Sequence, residues 1–118
     1  MNNACIVVDF RKSRIRIFKR TLQELLYPKY VRLLVNPNEK TVAVQVTDSS
    51  DTRAHRIPNI GNRSMRCYEI YNRSLLSELS ACGAWNSNNT YKIHASVCLN
   101  QQCVIFKMDQ AVRLETSK

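Results

Sequence analysis

Glycine and proline are scarce in this sequence, whose 118 residues include two glycines and three prolines. This scarcity excludes collagen-like and linker-like chains, which are rich in these residues. Long hydrophobic runs are also lacking, since no apolar stretch approaches the roughly 20 residues that a membrane-spanning helix needs. The apolar residues 5–8 are followed at once by Asp9 and form too short a run for a secretory signal. We therefore expect an intracellular, cytoplasmic protein with no membrane partner.

The residue patterns that support enzymatic or metal chemistry are lacking as well. His55 and His94 lie in no nucleophile motif, and the nine acidic residues are scattered without an acid–base couple. The five cysteines include no Cys-x-x-Cys pair, which argues against a zinc ribbon and a disulfide framework. His94 and Cys98 are spaced like metal ligands, but four residues of extended strand span about 13 Å, too far for one ion. We predict no enzyme, no metal site and no cofactor.

The chain does contain enough apolar material for one hydrophobic core. Hydrophobic residues make up 44% of the sequence, which is a globular rather than a disordered composition. A length of 118 residues suits one domain and leaves little room for a second. We predict a single domain over residues 1–118.

The first half of the chain has the pattern of a strand, a short helix and a β-hairpin. Residues 14–18 alternate polar and apolar side chains, which predicts a half-buried strand with its two isoleucines toward the core. A helix is predicted from about Thr21, a plausible N-cap, to Leu26. The predicted strands of the hairpin are residues 30–35 and 41–46.

The second half repeats this order. Residues 68–71 are a predicted strand, residues 74–82 a helix with Gly83 as a suitable C-cap, and residues 103–108 the last strand. Residues 91–99 are a predicted strand with Tyr91, Ile93, Ala95 and Val97 on one face.

Two cysteines flank the turn of the second hairpin. Cys98 and Cys103 are expected to lie opposite each other, close enough for a disulfide. In a reducing cytoplasm we expect two free thiols.

Sequence similarity between the halves supports the repeat. Residues 17–22 align with residues 70–75 at an offset of 53. We predict an α+β protein made of two β-α-β-β repeats, at about residues 14–46 and 67–108. These repeats would form a small pseudo-two-fold barrel, or a mixed sheet, with two short helices. Residues 47–66 would be a long connecting loop without regular structure, which is usually functional or mobile.

A strand, a short helix and a hairpin in this order resemble the half-unit of the AbrB/SpoVT and MraZ-type swapped-hairpin barrels. Residues 15–46 look like one half and residues 68–108 like the other. The resemblance implies two fused halves in one barrel, which binds DNA through basic residues on one side. The chain also resembles small proteins carried by phages and mobile elements of Gram-positive bacteria.

Positive charge is concentrated in the first two-thirds of the chain. The net charge is +9, from 18 Lys and Arg against 9 Asp and Glu. Residues 11–73 hold 14 basic and 5 acidic residues, whereas the rest holds 4 of each, so the whole excess lies in this segment. Such a field attracts polyanions, most often nucleic acid, although a solvated surface that keeps the protein in solution would have the same composition.

Ten cations are the candidate nucleic-acid contacts. Six lie within ten residues, and strand periodicity places Lys12, Arg14 and Arg16 on one face about 7 Å apart, near the spacing of successive phosphates. The alternative is a solvated or protective strand edge. The other four lie in the long loop. The full set is Arg11, Lys12, Arg14, Arg16, Lys19, Arg20, Arg53, Arg56, Arg63 and Arg66.

These observations favour a nucleic-acid-binding protein, most simply a DNA-binding regulatory or accessory factor of a phage or mobile element. The alternative is an anti-CRISPR-type inhibitor that binds a host protein or ribonucleoprotein complex. Self-association into a homodimer is compatible with both hypotheses. Trp85 and the five tyrosines are expected to be core and sheet residues rather than stacking platforms for bases.

Overall fold

The computed structural model describes residues 4–58, 66–83, 85–86 and 88–114. Within these residues the chain forms an antiparallel, barrel-like sheet of nine strands with two α-helices. The elements are β1 (Cys5–Asp9), β2 (Arg14–Phe18), α1 (Lys19–Glu24), β3 (Tyr30–Asn36), β4 (Thr41–Val46), β5 (His55–Arg56), β6 (Cys67–Ile70), α2 (Arg73–Gly83), β7 (Thr90–Leu99), β8 (Cys103–Lys107) and β9 (Val112–Leu114).

The order of the strands in the sheet is β5-β3-β4-β8-β7-β1-β2-β6, and β9 pairs with the first residues of β7. A 3₁₀ turn, Met108–Gln110, separates β8 from β9 along the edge of β7. The principal dimensions are 34 × 33 × 30 Å. Neither helix of the described residues is long and apolar enough to cross a membrane.

The strands that were predicted most accurately are those whose sequences alternate polar and apolar residues. β2 spans the predicted residues 14–18, and Ile15 and Ile17 are fully buried while its other side chains are half-buried. β4 spans the predicted residues 41–46 and buries Val42 and Val44. Leucines of α1 and α2 pack against these side chains, so the core lies between the inner face of the sheet and the two helices.

One interior strand of the sheet, β1, is a strand that the sequence did not reveal. All five residues of β1, which lies between β2 and β7, are buried. Ile6 and Val8 belong to the core, so Cys5, Val7 and Asp9 face the opposite side. A strand covered on both faces has no polar–apolar alternation to mark it.

The first helix begins two residues earlier than predicted, and Thr21 is not its N-cap. Phe18 occupies the N-cap position, without a side-chain hydrogen bond to the helix. Thr21 lies inside α1, is fully buried and donates its hydroxyl to the carbonyl of Cys5 at 3.0 Å. The hydroxyl therefore ties the helix to β1. In α2, Asn72 is the cap, since its side-chain oxygen accepts from the backbone N–H of Leu75 at 3.0 Å.

Gly83 does not have the predicted C-cap role. It is the last residue of α2 rather than the residue after it, and its φ is not positive. A side chain at this position is excluded by Trp85, because a Cβ would lie 2.9 Å from Cε2 of the indole. The indole stacks on Tyr91 at 4.6 Å and meets the edge of Phe10 at 6.2 Å. Trp85 therefore packs against the core, as the sequence predicted.

A β-bulge in β7 changes which face its last residues present. The register with β8 shifts between Ala95 and Val97, so Ala95 and Cys98 pack against the core while Val97 is 41% exposed. The prediction that Val97 lies on the same face of the strand as Tyr91 is therefore wrong. A bulge adds one residue to one strand and shifts the alternation of its side chains.

The prediction that Cys98 and Cys103 lie opposite each other on this hairpin is also wrong. Cys98 pairs with Val104, and Cys103 pairs with Leu99. Successive residues of a strand point to opposite faces, so Cys98 turns toward the core and Cys103 away from it. All five cysteines are free thiols.

The loop over residues 47–66 has more structure than expected. β5 pairs with β3 through Tyr30 and Val31. The Asp51 carboxylate accepts from the Thr47 hydroxyl, the Arg32 guanidinium and the Arg53 backbone N–H at 2.9, 3.3 and 2.9 Å. Residues 59–65 lie outside the described residues.

Tight turns are made without glycine. Ser13, Lys40, Asn100 and Gln101 have positive φ values of 53°, 54°, 51° and 60°. Each lies in a turn between two strands, where the left-handed conformation is required but costs an L-residue about 1 kcal/mol. The scarcity of glycine therefore reflects turns formed at some cost in strain, not an absence of turns.

Candidate nucleic-acid interface

A groove of about 480 Å³ lies on the outer face of β1, β2 and β7. Its floor is built on β1, whose residues 5, 7 and 9 point away from the core. We call this surface the basic groove, lined by Cys5, Val7, Asp9, Arg16, Phe18, Lys19, Arg20, Arg66, Thr90, Lys92 and Leu114.

The pairing register places cations on both sides of the floor. Val7 is the partner of Arg16 on β2 and of Lys92 on β7. Adjacent strands lie about 4.8 Å apart, so the backbones at Arg16 and Lys92 are separated by roughly 10 Å across Val7.

The start of α1 contributes the next cations. Lys19 and Arg20 are its first two residues, and both line the groove. The backbone N–H of Lys19 donates to the carbonyl of Arg66 at 2.9 Å, which fixes the residue before β6 beside the helix. Lys19, Arg66 and Lys92 have no ion pair with any described residue. Their charges are therefore available to a ligand.

The one carboxylate of the groove is already paired. Asp9 is buried and accepts from the backbone N–H of Lys12, from Nε of Arg14 and from the hydroxyl of Thr90, at 3.2, 3.3 and 3.2 Å. Its negative charge is therefore balanced within the sheet, and it subtracts little from the positive potential of the groove.

Arg14 is held between two carboxylates rather than presented to solvent. Its Nη1 donates to Oε2 of Glu69 at 2.7 Å, in addition to its contact with Asp9. Burial lowers the pKa of the Arg14 guanidinium, but the Tyr71 hydroxyl and the carboxylates of Glu69 and Asp9 outweigh it and raise that pKa above its ordinary value. Arg14 joins β1, β2 and β6, and its charge is shared with these partners.

Arg16 is positioned differently. Its guanidinium carbon lies 5.1 Å from the centroid of the Phe18 ring, a cation–π contact on the same strand face. Its Nε is 3.7 Å from Oε2 of Glu69, within ion-pair range but beyond hydrogen-bond range. That Nε is buried and has no hydrogen-bond partner among the described residues. Arg16 is therefore ordered by its neighbours while one donor stays unused.

The floor of the groove is apolar. Cys5 and Val7 are buried, and Phe18 and Leu114 are half-buried. Burial raises the pKa of the Cys5 thiol, and the charge of Lys92 offsets part of this effect. The thiol is therefore protonated at neutral pH and adds no charge.

The turn between β1 and β2 extends the positive surface. Arg11 and Lys12 are exposed there, and they line a smaller depression together with Asp9 and Thr90, which also line the basic groove. Six predicted cations are thus on or beside one surface, namely Arg11, Lys12, Arg16, Lys19, Arg20 and Arg66.

Two predicted cations, Arg53 and Arg56, do not line this surface. Arg56 is exposed on β5, at the opposite end of the strand order from β2. Arg53 lines a separate cleft between the β5 segment and α2. Arg63 lies outside the described residues.

Lys92 is the groove cation that the sequence did not identify. It belongs to the part of the chain whose charges balance, so composition gave no signal. Only the pairing of β7 with β1 brings it opposite Val7.

The described residues hold no group of three or more His, Cys, Asp or Glu side chains placed to bind a metal ion. The groove instead combines an apolar floor with a rim of cations, which suits an anion that carries an apolar part. No family model, curated protein or solved structure matches the chain.

Proposed function

We propose that this protein binds nucleic acid through the basic groove, as a regulatory or accessory factor of a phage or mobile element. The observation that carries the proposal is the convergence of Arg16, Lys19, Arg20, Arg66 and Lys92 on one concave surface. These cations come from three separate segments of the chain, residues 16–20, Arg66 and Lys92, and the carboxylate among them is paired with Arg14.

The physical basis of binding is release of counterions. Each phosphate that a lysine or arginine neutralises frees condensed cations from the nucleic acid, which favours association at low salt. Because this attraction does not depend on base sequence, the rim cations give affinity and orientation rather than specificity. Arg11 and Lys12 would continue the phosphate track beyond the groove.

We further propose that the fold consists of two β-α-β-β repeats related by a pseudo-two-fold axis, as in AbrB-like barrels. Two strand pairings support this proposal. β2 pairs with β6 and β4 pairs with β8, and each pair joins strands that occupy the same position in the two repeats. Pairing of equivalent strands is what a two-fold relation requires. The AbrB resemblance also supports the use of one basic side for DNA.

The direct test is a salt titration of binding to fluorescent DNA and RNA probes, both duplex and single-stranded, read by anisotropy. We expect binding at low ionic strength and a linear fall of log K with log salt concentration. Lys92→Gln should lower the magnitude of that slope by about one unit, the amount for one phosphate contact. Lys107→Gln is the matched control, because it removes the same charge from an exposed strand position outside the groove.

The titration has two outcomes that would overturn the proposal. One is the absence of binding at low ionic strength to both DNA and RNA. The other is an equal effect of Lys92→Gln and Lys107→Gln on the slope for both duplex and single-stranded probes, since binding would then follow total charge rather than the groove.

The alternative, an inhibitor that contacts a host ribonucleoprotein, is favoured by a different observation. Val97 and Leu99 are 41% and 47% exposed at alternate positions of β7, and exposed apolar groups of this kind occur at protein contact surfaces. Inhibition of a purified effector complex would then be lost in Leu99→Ser and retained in Lys92→Gln. The reverse pattern would exclude a contact through this part of β7.

A further inference from the structure

The basic groove has two chemically distinct layers. Its rim holds the cations, whereas its floor consists of the apolar residues Cys5, Val7, Phe18 and Leu114 together with Asp9, whose carboxylate is paired with Arg14. A phosphate is stabilised by the rim alone, because an apolar floor offers it no hydrogen bond. A ligand that fills the whole groove therefore carries a second group, flat or apolar, that lies between the cations.

In this groove a guanidinium already lies over the face of an aromatic ring. The guanidinium carbon of Arg16 lies 5.1 Å from the centre of the Phe18 ring. Both groups stack on nucleobases, and stacking is tolerant of base identity because every base has a π-face.

A duplex does not match this shape. In duplex DNA the bases are enclosed in the stack and are reached by an element that projects into a groove. The surface here is a depression on a sheet, with its apolar residues below the cations. Only an unstacked base can reach such a floor while its flanking phosphates contact the rim.

We infer that the ligand of the basic groove is single-stranded nucleic acid, with a base stacked at Phe18 and Arg16 and the flanking phosphates on Lys19, Arg66 and Lys92. This inference rests on the proposed function and names its substrate class. Single-stranded DNA and single-stranded RNA share this chemistry, so the experiment includes both.

The test compares four probes of equal length at one salt concentration: oligo(dT), oligo(rU), a DNA duplex and an abasic oligodeoxynucleotide. We expect oligo(dT) or oligo(rU) to bind at least fivefold more tightly than the abasic strand, from about 1 kcal/mol or more of base stacking. The duplex should bind more weakly than the better of the two single strands. Tighter binding of oligo(dT) would identify DNA as the natural ligand, and tighter binding of oligo(rU) would identify RNA.

Two variants test whether the base-dependent part of the affinity comes from Phe18. Phe18→Leu keeps an apolar side chain but removes the ring, so it should lower affinity for the preferred single strand several-fold and leave the abasic strand unaffected. Phe18→Tyr keeps the ring and should retain the affinity. Circular dichroism of each variant checks that the fold is intact, and Phe18→Tyr still tests the inference if Phe18→Leu does not fold.

The outcomes separate the inference from the proposed function. Equal affinity for the single strands and the abasic strand, or tighter binding of the duplex with no effect of Phe18→Leu, overturns the inference and leaves nucleic-acid binding standing. The absence of binding to all four probes overturns both.

Discussion

Gly83 occupies a position at which the fold leaves no room for a side chain. A Cβ there would lie 2.9 Å from the indole of Trp85, closer than unbonded carbons approach. The strand Thr90–Leu99 and the β1–β2 turn depend on this indole, because Tyr91 stacks on it and Phe10 meets its edge. Ser80 also accepts the Trp85 backbone N–H at its carbonyl, at 3.0 Å.

Gly83→Ala is therefore expected to displace the indole and lower the free energy of unfolding by about 1–3 kcal/mol, the usual cost of overpacking. Trp85 is the single tryptophan, so its emission spectrum should shift in the folded variant and report the displacement directly. Ser77→Ala, at an exposed position of the same helix, is the control and should change neither quantity beyond about 0.5 kcal/mol. Unchanged stability and emission in Gly83→Ala would contradict the close contact.

His55 gives the protein a pH dependence that arises from burial. It lies on β5, in the cleft toward α2 that Arg53 and Glu78 also line. Burial lowers the pKa of His55 below its ordinary value of 6.5. The unfolded chain therefore binds more protons than the folded chain once the pH falls below about 6.5.

The free energy of unfolding should accordingly decrease as the pH falls through 6.5, and level off below the pKa of the folded state. Urea denaturation between roughly pH 5 and pH 8 measures this decrease. His55→Gln should remove most of it, whereas His94→Gln, at an exposed position, should retain it. A decrease that persists in His55→Gln would assign the dependence to another group.

At the scale of elements, Arg14 connects three strands. It sits on β2 and reaches Asp9 on β1 and Glu69 on β6. The side chains of Arg14 and Glu69 are 17% and 33% exposed, so their interaction is screened less than that of a surface ion pair. This arrangement makes Arg14 a support of the sheet beneath the groove.

A double-mutant cycle of Arg14→Gln and Glu69→Gln should give a coupling energy of about 0.5–1.5 kcal/mol, above the range of most exposed pairs. Arg14→Gln alone should be the most destabilising of the three variants, because it leaves two carboxylates without their partner. Chemical denaturation measures each free energy. A coupling near zero would indicate that the contact is not maintained in solution.

The elements differ in how well the sequence predicted them, for physical reasons. β2 and β4 were predicted to the residue, because each has one buried and one half-buried face and so alternates. β1 was missed because both of its faces are buried. The bulge in β7 was missed because it is set by the pairing with β8, which no local pattern encodes.

At the scale of the whole molecule, the cations that cluster in the sequence are not the same set as the cations that line the groove. The sequence predicted the cations of β2, α1 and residue 66, because they cluster along the chain. It could not predict Lys92, which reaches the groove through the register of β7 with β1. Nor could it predict that Arg14 is paired, because its partners are 5 and 55 residues away.

Two double variants separate the effect of where the charges lie from the effect of the total charge on binding. Lys19→Gln/Arg20→Gln removes two positive charges from the rim of the groove, and Arg53→Gln/Arg56→Gln removes two from the β5 segment. Both proteins have the same net charge, so any general attraction to a polyanion falls equally in both.

If nucleic acid binds in the groove, the rim variant should lose about two units of the salt slope and bind several-fold more weakly at moderate salt. The β5 variant should keep the slope and bind within about twofold of the unmodified protein, because Arg53 and Arg56 do not line the groove. Anisotropy titrations with the same oligonucleotide measure both quantities. Equal losses in the two variants would mean that the ligand is attracted by the charge of the whole molecule, and that the concave surface on β1 does not select its position.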